Sequence, residues 1–313
     1  MMNSMIKRIS LVVCAVACLV CSGGAAEEWC TDFEQGLAVA AAEGRPLLVE
    51  FTGSDWCPPC MYVRSKVLPS KEFQGFVKKY NPVLVELDFP REISPELRAQ
   101  REVVAERYMI DAFPTMLVAD SQGHACAMVV GGGNGVKGYV LELQQAMETK
   151  AKLENDLKQA YELSGFERAT ALIEIYNSLQ PECRPLRQDI TDAVAECDPE
   201  DRLGLRKMLE QKKIAEEQTM AFSEMICATL EDSDGTAKAR AGAMEMLKRD
   251  DLQPSVRLII NAFIGQSLAL DKKYAQACPY IEAAVAADPE SLEAACLKEL
   301  LPLLRANASG SAQ

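Results

Sequence analysis

The sequence predicts an α/β domain, a mixed sheet with helices on both faces, followed by an all-helical domain. Three observations lead to this fold class. From about residue 29 to residue 149, strand-type apolar runs alternate with helical runs. Beyond residue 150, helical patterns continue without a strand-type run. A Cys-x-x-Cys motif, from Cys57 to Cys60, stands where the first strand run gives way to a helix.

The first 26 residues have the pattern of a signal peptide. Lys7 and Arg8 precede the apolar run Ile9–Val20, and small residues end the segment at Ala26. This run is shorter than the roughly 20 residues of a transmembrane helix. We therefore expect cleavage after about Ala26 and an exported protein, periplasmic or secreted, with no membrane span. A lipid anchor at Cys18 is the alternative, because the three residues before it resemble a lipidation box.

The first domain is predicted to cover residues 27–149, and end signals support its elements. Gly44 stops the first helix, and proline stands in the first turn of two later helices, at Pro58 and Pro95. A turn at 120–123 joins the last two strands into a hairpin. The predicted helices are Thr31–Glu43, Pro58–Val67, Lys71–Tyr80, Ser94–Tyr108 and a closing helix from about Lys137. The predicted strands are Leu47–Phe51, Val83–Asp88, Thr115–Ala119 and Ala127–Val130.

The second domain, residues 150–313, consists of predicted helices separated by Gly and Pro. The stretch 258–291 resembles the tetratricopeptide repeat, in which small residues let paired helices approach closely and proline ends the second helix. The matching positions are Gly265, Ala277, Ile281, Ala284 and Pro289. Ala169 and Pro181 show the same Ala-to-Pro interval over another helix. We expect a tetratricopeptide-like, repeat-like helical domain without a defined number of repeats.

Charge and residue counts argue against several classes of site. The net charge is −13, with no basic patch, which argues against a nucleic acid partner. His124 is the only histidine, so Ser-His and Cys-His nucleophilic sites and most histidine-based metal centres are excluded. The glycine-rich run 131–135 lacks the Lys-Ser/Thr that completes a phosphate-binding loop. We expect no metal site.

The chain contains 12 cysteines, and those outside the Cys-x-x-Cys motif leave several pairings open. An oxidising compartment permits disulfides, and Cys183 with Cys197 or Cys278 with Cys296 are candidates for bridges between neighbouring helices. Cys227, Cys278 and Cys296 lie among alanines in helical patterns, where the alternative is a small buried apolar residue. The cysteines whose pairing stays open are Cys30, Cys126, Cys183, Cys197, Cys227, Cys278 and Cys296.

Cys57 and Cys60 have the spacing of a dithiol that opens and closes. At the start of a helix, free backbone N–H groups and the helix dipole favour the thiolate of the first cysteine. The second sulfur lies one turn further on, close enough to attack a mixed disulfide formed by the first. We expect Cys57 to be the accessible nucleophile and Cys60 to be the buried resolving thiol of a redox-active disulfide.

The segment Phe51–Cys60 resembles the active-site turn of the thioredoxin-like fold, in particular the exported thiol-disulfide reductase branch. The resemblance covers about residues 27–149 and includes Asp111–Thr115. It implies that Pro114 is a cis-proline facing the dithiol and that the backbone near Phe113 pairs with an extended substrate. It also implies that Trp56 shields the sulfurs and shapes the substrate face.

The same resemblance implies a role for Glu50, which occupies the place of the buried acid beneath the dithiol. A buried carboxyl there has a raised pKa and can accept the proton of Cys60. The alternative is a solvent-facing glutamate at the edge of the strand, because the turn contains one extra residue. Relatives often place a lysine near this acid, whereas the corresponding residue here is Glu86.

These observations predict an exported thiol-disulfide oxidoreductase that reduces or isomerises the disulfides of client proteins. Pro58 and Pro59 offer no N–H to the sulfur of Cys57, which favours reduction or isomerisation over strong oxidation. No organic cofactor is needed, but a dithiol electron donor must restore the reduced pair. The helical domain would dock clients or partners. The alternatives are a helical-repeat scaffold with a non-catalytic thioredoxin-like domain, and a thiol oxidase that uses the same cysteines.

Overall fold

The computed structural model describes residues 29–133, 135–230 and 234–310. The predicted leader, with its cleavage site at Ala26 and the alternative lipid anchor at Cys18, lies outside the described residues. The chain divides into two compact units. The first ends at Lys158 and also takes in Asn177–Gln188, whereas the second comprises Gln159–Tyr176 and the chain from Asp189 onward.

A mixed sheet forms the centre of the first unit, as the sequence predicts. Its strands are β1 (Leu47–Thr52), β2 (Val83–Asp88), β3 (Thr115–Ala119) and β4 (Ala125–Val130). The strand order is β2-β1-β3-β4, with β1 parallel to β2 and antiparallel to β3, and with β3 antiparallel to β4. The register sets Glu50 of β1 opposite Glu86 of β2. This pairing places two carboxylates on adjacent strands.

Helices cover both faces of this sheet, and several begin at a capping side chain. Asp32, Ser70 and Ser94 each accept a hydrogen bond from a backbone N–H in the first turn of the helix that follows. Gly44, in the left-handed conformation, ends the first helix. The helices are α1 (Phe33–Glu43), α2 (Pro58–Tyr62), α3 (Lys71–Tyr80), α4 (Pro95–Arg107) and α5 (Gly135–Glu162).

The helix predicted over Pro58–Val67 differs from the prediction in its second half. The α-helical hydrogen-bonding pattern ends at Tyr62, and Val63–Val67 continues as a π-helix. Val63 and Val67 are both fully buried in the core, so the wider turn keeps the segment packed on the sheet. Segments of π-helix occur frequently at functional sites, and this one directly follows the Cys-x-x-Cys motif.

The side chains of each strand alternate between two hydrophobic cores, one on each face of the sheet. Leu48 of β1 belongs to the core formed with α3, α5 and the π-helix, and Glu50 and Thr52 alternate to this same face. Val49 and Phe51 belong to the opposite core, formed with α1 and α4. Glu50 therefore lies on the face that carries the buried end of the dithiol helix.

A short segment after α6 (Gly165–Ser178) returns to the first unit and packs against its sheet. The side-chain carbonyl of Gln180 accepts a hydrogen bond of 2.7 Å from the backbone N–H of Met128 on β4. Cys183 is fully buried in the core formed with α1 and α4. The domain boundary predicted between residues 149 and 150 falls within the continuous helix α5 and stays a prediction.

The second unit is helical in its described residues. Its helices after α6 are α7 (Gln188–Cys197), α8 (Leu205–Leu230), α9 (Gly235–Met246), α10 (Pro254–Leu270), α11 (Tyr274–Ala287) and α12 (Leu292–Gly310). Gly265 of α10 faces Ile281 of α11 so closely that a Cβ atom on the glycine would lie 2.5 Å from Cδ1 of the isoleucine. This contact fits the close approach of paired helices, but the repeat architecture stays a prediction. Across the described residues, no helix is both long and apolar enough to cross a membrane.

Candidate active site

The two motif cysteines form a disulfide at the start of α2. Their Cα atoms are 5.2 Å apart and their sulfurs are bonded at 2.18 Å. Cys57 is the N-cap residue, and its Sγ accepts a hydrogen bond of 3.3 Å from the backbone N–H of Cys60. The N–H of Met61 instead donates to the carbonyl of Cys57, at 3.0 Å. Among the described residues, a single backbone N–H therefore donates to the sulfur of Cys57, because Pro58 and Pro59 have no N–H.

The exposure of Cys60 agrees with the prediction, whereas Cys57 is less exposed than predicted. Cys60 is fully buried, as predicted, but Cys57 is only 5% exposed, whereas an accessible nucleophile was expected. The physical reason is that Cys57 is bonded to Cys60 and covered by the loop before β3. Its Sγ lies 3.6 Å from the carbonyl oxygen of Phe113. The neighbouring Trp56, Pro58 and Pro59 form the exposed rim of the site.

Two loops, one before β3 and one after β4, contact residues of the Cys-x-x-Cys motif. The Phe113–Pro114 peptide bond is cis, the conformation that the family resemblance implies, and it lies immediately before β3. The carbonyl of Pro114 accepts a hydrogen bond of 2.8 Å from the backbone N–H of Gly131, at the end of β4. Gly132 lies against Pro59, since a Cβ atom on this glycine would be 3.4 Å from Cβ of the proline. Both loops thus frame the face that a substrate would approach.

Aromatic side chains form the wall beside Cys57. The indole N–H of Trp56 donates a hydrogen bond of 2.6 Å to the carbonyl of Phe89. The ring of Phe113 lies 5.9 Å from the Trp56 ring and 5.1 Å from the Phe89 ring, measured between centroids. The carboxylate of Asp55 accepts a hydrogen bond of 3.0 Å from the N–H of Arg91, which holds the loop after β2 in place.

A groove of about 900 Å³ opens beside these aromatic rings, between the loop after β2 and the C-terminal end of α4. Trp56 and Phe113 line it together with Met109 and Ile110, and charged side chains such as Arg98 stand at its edge. The groove is thus continuous with the face that carries Cys57. Its apolar floor suits a polypeptide side chain next to a disulfide.

Gly53 determines where the indole of Trp56 can lie. A Cβ atom at this position would be 2.5 Å from Cε2 and 2.8 Å from Nε1 of the indole, and a rigid ring cannot give way locally. We expect Gly53→Ala to displace the ring, break its bond to Phe89 and lower the free energy of unfolding by about 1–3 kcal/mol. Tryptophan fluorescence in a denaturant titration measures both effects, because Trp29 and Trp56 both lie in the first unit.

Gly75 supplies the matched control for this substitution. It lies in the exposed middle of α3, and a Cβ atom there would meet nothing within 4 Å. Gly75→Ala should stabilise the fold by up to about 1 kcal/mol and leave the fluorescence unchanged, because alanine favours helix more than glycine does. An unchanged unfolding midpoint and spectrum in Gly53→Ala would contradict the role assigned to Gly53.

Glu50 is buried on β1, on the face of the sheet covered by the π-helix that continues the dithiol helix. It is 1% exposed, so the alternative of a solvent-facing carboxylate is wrong. Burial, followed by the nearby charge of Glu86, raises the pKa of Glu50 to about 8. Its Oε1 atom has no hydrogen-bond partner among the described residues. A carboxyl in this state can hold a proton near neutral pH and can release or accept it within the physiological range.

Sequence reasoning missed several groups around this acid. Arg64, on the π-helix, donates a hydrogen bond of 3.1 Å from Nη1 to Glu86 and lies 3.8 Å from the carboxylate of Asp88. Within the described part of the chain, the buried hydroxyl of Tyr139 on α5 has no hydrogen-bond partner, and desolvation and the charge of Glu50 raise its pKa. No local spacing links Arg64 or Tyr139 to β1, so only their positions in the fold could reveal them.

The remaining candidate residues lie away from the dithiol. His124 sits in the turn between β3 and β4, where its Nδ1 is 2.9 Å from the carboxylate of Asp120. The seven described cysteines outside the motif are unpaired, so the candidate bridges Cys183–Cys197 and Cys278–Cys296 are not formed. Cys126 and Cys183 are buried thiols, and desolvation raises the pKa of each to about 12. Such thiols are poor nucleophiles.

Comparison with known proteins supports the assignment that this geometry suggests. Residues 28–120 match a family described as thioredoxin-like. These residues form a thioredoxin-like domain. The match includes the motif cysteines, Glu50 and the cis-proline at Pro114.

Two curated relatives from Chlamydia pneumoniae each match part of the chain. The disulfide bond reductase DsbH is 27% identical over 120 residues, which are 38% of this chain and 72% of DsbH. The thioredoxin-related protein DsbJ is 35% identical over 91 residues, 29% of this chain. The chain spans only 26% of the length of DsbJ.

Solved structures with a similar domain include a DsbH oxidoreductase and a thioredoxin from Thermus thermophilus. The first is 23% identical, with a TM-score of 0.36, and covers 47% of this chain and 95% of its own. The second is 20% identical, with a TM-score of 0.31, and covers 39% and 88%. The thioredoxin-like domain, the curated relatives and the Cys57–Cys60 disulfide identify the chain as a thiol-disulfide oxidoreductase.

Proposed function

We propose that the protein is an exported thiol-disulfide reductase or isomerase that acts on disulfides of client proteins. The observation that carries this proposal is the position of the dithiol. Cys57 lies 3.6 Å from the carbonyl of Phe113, beside cis-Pro114 and the indole of Trp56, and Cys60 is buried behind it. The sulfur of Cys57 thus lies against the loop that carries Phe113 and cis-Pro114, which is the face proposed for the substrate.

The reaction begins with the reduced form of the pair. The thiolate of Cys57 attacks one sulfur of a client disulfide, which forms a mixed disulfide and releases the other client sulfur as a thiolate. Cys60 then gives its proton to the carboxylate of Glu50 and attacks Sγ of Cys57. The second client thiolate leaves, so the client gains two electrons and the protein ends with the Cys57–Cys60 disulfide. A dithiol donor must supply two electrons to restore the pair.

The substrate face consists of Trp56, Phe113 and Pro114. An extended client segment would pair with the backbone at Phe113, in the manner of an added strand. The apolar groove beside Trp56 would hold a neighbouring client side chain. These three residues therefore position the client disulfide in line with the sulfur of Cys57.

Weak stabilisation of the Cys57 thiolate supports the reductive direction. Strongly oxidising dithiols stabilise the thiolate, and here one N–H donor, that of Cys60, points at the sulfur at 3.3 Å. DsbH, the curated relative that matches over 120 residues, is named a disulfide bond reductase. A reduction potential near that of thioredoxin, about −270 mV, is expected, and a value near −120 mV would favour the thiol oxidase alternative.

Export and client docking complete the proposal. The predicted signal peptide would deliver the protein to the periplasm or the exterior, where disulfides persist. The helical second unit would dock clients, the dithiol donor or a partner protein, because paired helices present concave surfaces. Its tetratricopeptide-like positions, Gly265 against Ile281, support such a role.

Replacement of Cys57 by serine tests the enzymatic function directly. We expect Cys57→Ser to abolish the reduction of insulin by the full chain, by a factor on the order of 10³ or more, because the nucleophile is lost. Turnover is followed with a chemical dithiol as the electron donor. Cys227→Ser is the control, since this exposed, unpaired cysteine lies on α8 and should leave turnover unchanged.

The scaffold alternative makes the opposite prediction. If the thioredoxin-like domain is not catalytic, insulin reduction by the wild-type chain will be absent or will survive in Cys57→Ser. Either result would overturn the enzymatic proposal and leave partner binding by the helices as the remaining function.

A further inference from the structure

An arginine lies among three carboxyl groups, on the π-helix that directly follows the dithiol helix. The carboxylates are Glu50, which is buried, and Glu86 and Asp88, which are partly buried on the neighbouring strand β2. Arg64 contacts the two outer acids, at 3.1 Å and 3.8 Å, from the π-helix that continues the dithiol helix. The guanidinium therefore connects the helix that carries Cys60 to the strand beside Glu50.

We propose that Arg64 is a positioning residue which, through its ion pairs with Glu86 and Asp88, sets the pH at which Glu50 exchanges a proton with Cys60. This inference rests on the proposed function, in which Glu50 accepts the proton of the resolving thiol. It assigns to an arginine on the π-helix the control of a buried acid on β1.

The charges around Glu50 determine the direction of the effect. Burial, the carboxylate of Glu86 and the carboxylate of Asp88 all raise the pKa of Glu50, whereas the positive charge of Arg64 lowers it. Tyr139, which faces the acid from α5, has a raised pKa and so stays neutral in the working range. Met116, which pairs with Glu50 on β3, carries no charge. Arg64 is therefore the cation that opposes the two outer acids.

A second set of contacts ties the same acids to the active-site turn. The carboxylate of Asp88 accepts hydrogen bonds of 2.9 Å from the N–H of Ser54 and 2.5 Å from its hydroxyl. Ser54 lies three residues before Cys57. Arg64 thus holds Asp88 in the orientation that supports the turn, and its removal would free both acids to act on Glu50 without a counterion.

Opposite shifts in two variants test the proposal. In Arg64→Gln the pKa of Glu50 should rise by about half to one pH unit, and in Glu86→Gln it should fall by a similar amount, because one variant removes the opposing charge and the other a like charge. Carboxyl NMR titration of the full chain with Glu50 labelled measures the pKa without any assay of activity. The pH profile for closure of the Cys57–Cys60 disulfide should move with it.

Two further variants separate charge from structure. Arg64→Lys keeps the charge and should restore the pKa of Glu50 to within about 0.3 units of the wild-type value. Arg107→Gln is the matched control. This arginine lies at the end of α4, on the other face of the sheet, where it pairs with Glu34, so its removal should leave the pKa of Glu50 unchanged.

Loss of stability in Arg64→Gln with an unchanged pKa of Glu50, or shifts of the same sign in Arg64→Gln and Glu86→Gln, would overturn the proposal. The NMR titration measures the pKa of Glu50 and does not depend on the insulin assay. Failure of this inference can therefore be distinguished from failure of the proposed function.

Discussion

Cys60→Ser should convert a turning-over enzyme into a covalent trap for its clients. Cys57 can still attack a client disulfide, but the mixed disulfide lacks the thiol that resolves it. Turnover with insulin should fall by a factor on the order of 10³ or more, and a disulfide-linked adduct should accumulate. Intact-protein mass spectrometry and non-reducing electrophoresis detect the adduct, and excess dithiothreitol should release it.

The burial of the two sulfurs explains why this effect should be large. Cys60 is fully buried and faces Cys57, so it is the thiol positioned to resolve the intermediate. Two other thiols of the first unit, Cys126 and Cys183, are buried elsewhere, and desolvation raises the pKa of each to about 12. They are poor substitutes because the thiolate is the attacking species.

The double variant Cys57→Ser/Cys60→Ser serves as the control for trapping. It should form no adduct, because both reactive sulfurs are absent. An adduct in the double variant would mean that another cysteine captures the client. Turnover above about a tenth of the wild-type rate in Cys60→Ser would show that resolution does not need the second cysteine, contrary to the mechanism.

Glu50→Gln should remove a large, pH-dependent cost to stability. The ordinary pKa of a glutamate is 4.5, and burial raises that of Glu50 to about 8 in the folded protein. Below pH 4.5 the carboxyl is protonated in both the folded and the unfolded state. Between pH 4.5 and 8 the unfolded chain loses this proton while the folded protein keeps it, so unfolding becomes more favourable as the pH rises.

The magnitude follows from the size of the pKa shift. Each pKa unit corresponds to about 1.4 kcal/mol, so ionisation at this site costs on the order of 5 kcal/mol of folding free energy above pH 8. Glutamine has the shape of the protonated acid and does not titrate. The variant should come within about 1 kcal/mol of the wild type near pH 5 and exceed its stability by several kcal/mol near pH 9, since the fall with pH is absent.

Denaturant unfolding of the oxidised proteins between pH 5 and pH 9 measures this difference. Glu148→Gln is the control, because Glu148 is exposed on α5 and its removal should leave the pH dependence unchanged. The buried thiols are present in all three proteins, so their own titration cancels in the comparison. Parallel stability curves for Glu50→Gln and the wild type would contradict the buried, raised-pKa state of Glu50.

Local signals in the sequence were sufficient for much of the first unit. The limits of α3, β2 and β3 agree with those predicted, since caps and alternating apolar residues mark their ends. The mixed sheet and the helical second half follow from the same patterns. The disulfide between Cys57 and Cys60 and the cis bond before Pro114 agree with the family resemblance.

Features that depend on distant contacts were missed or left open. The π-helical turn after Tyr62 was predicted as ordinary helix, and nothing in the local pattern indicates it. The segment Asn177–Gln188 belongs with the first unit through contacts such as Gln180 with Met128, although the sequence places it after a helix of the second. The exposure of Cys57 was overestimated because the covering carbonyl of Phe113 comes from a loop 56 residues away.

The sequence by itself indicated which two cysteines form the redox pair and argued against other kinds of nucleophilic site. A spacing of three residues at a helix start brings two sulfurs together through local geometry alone, and a single histidine leaves few other nucleophilic sites. The tertiary structure decided the environment that governs the chemistry: the burial of Glu50, the partners of Arg64 and the cover over Cys57. The proton affinity of Glu50 depends on the local dielectric and on charges that come from several elements, and access to Cys57 depends on a distant loop. The fold sets these conditions, whereas the spacing of residues along the chain does not.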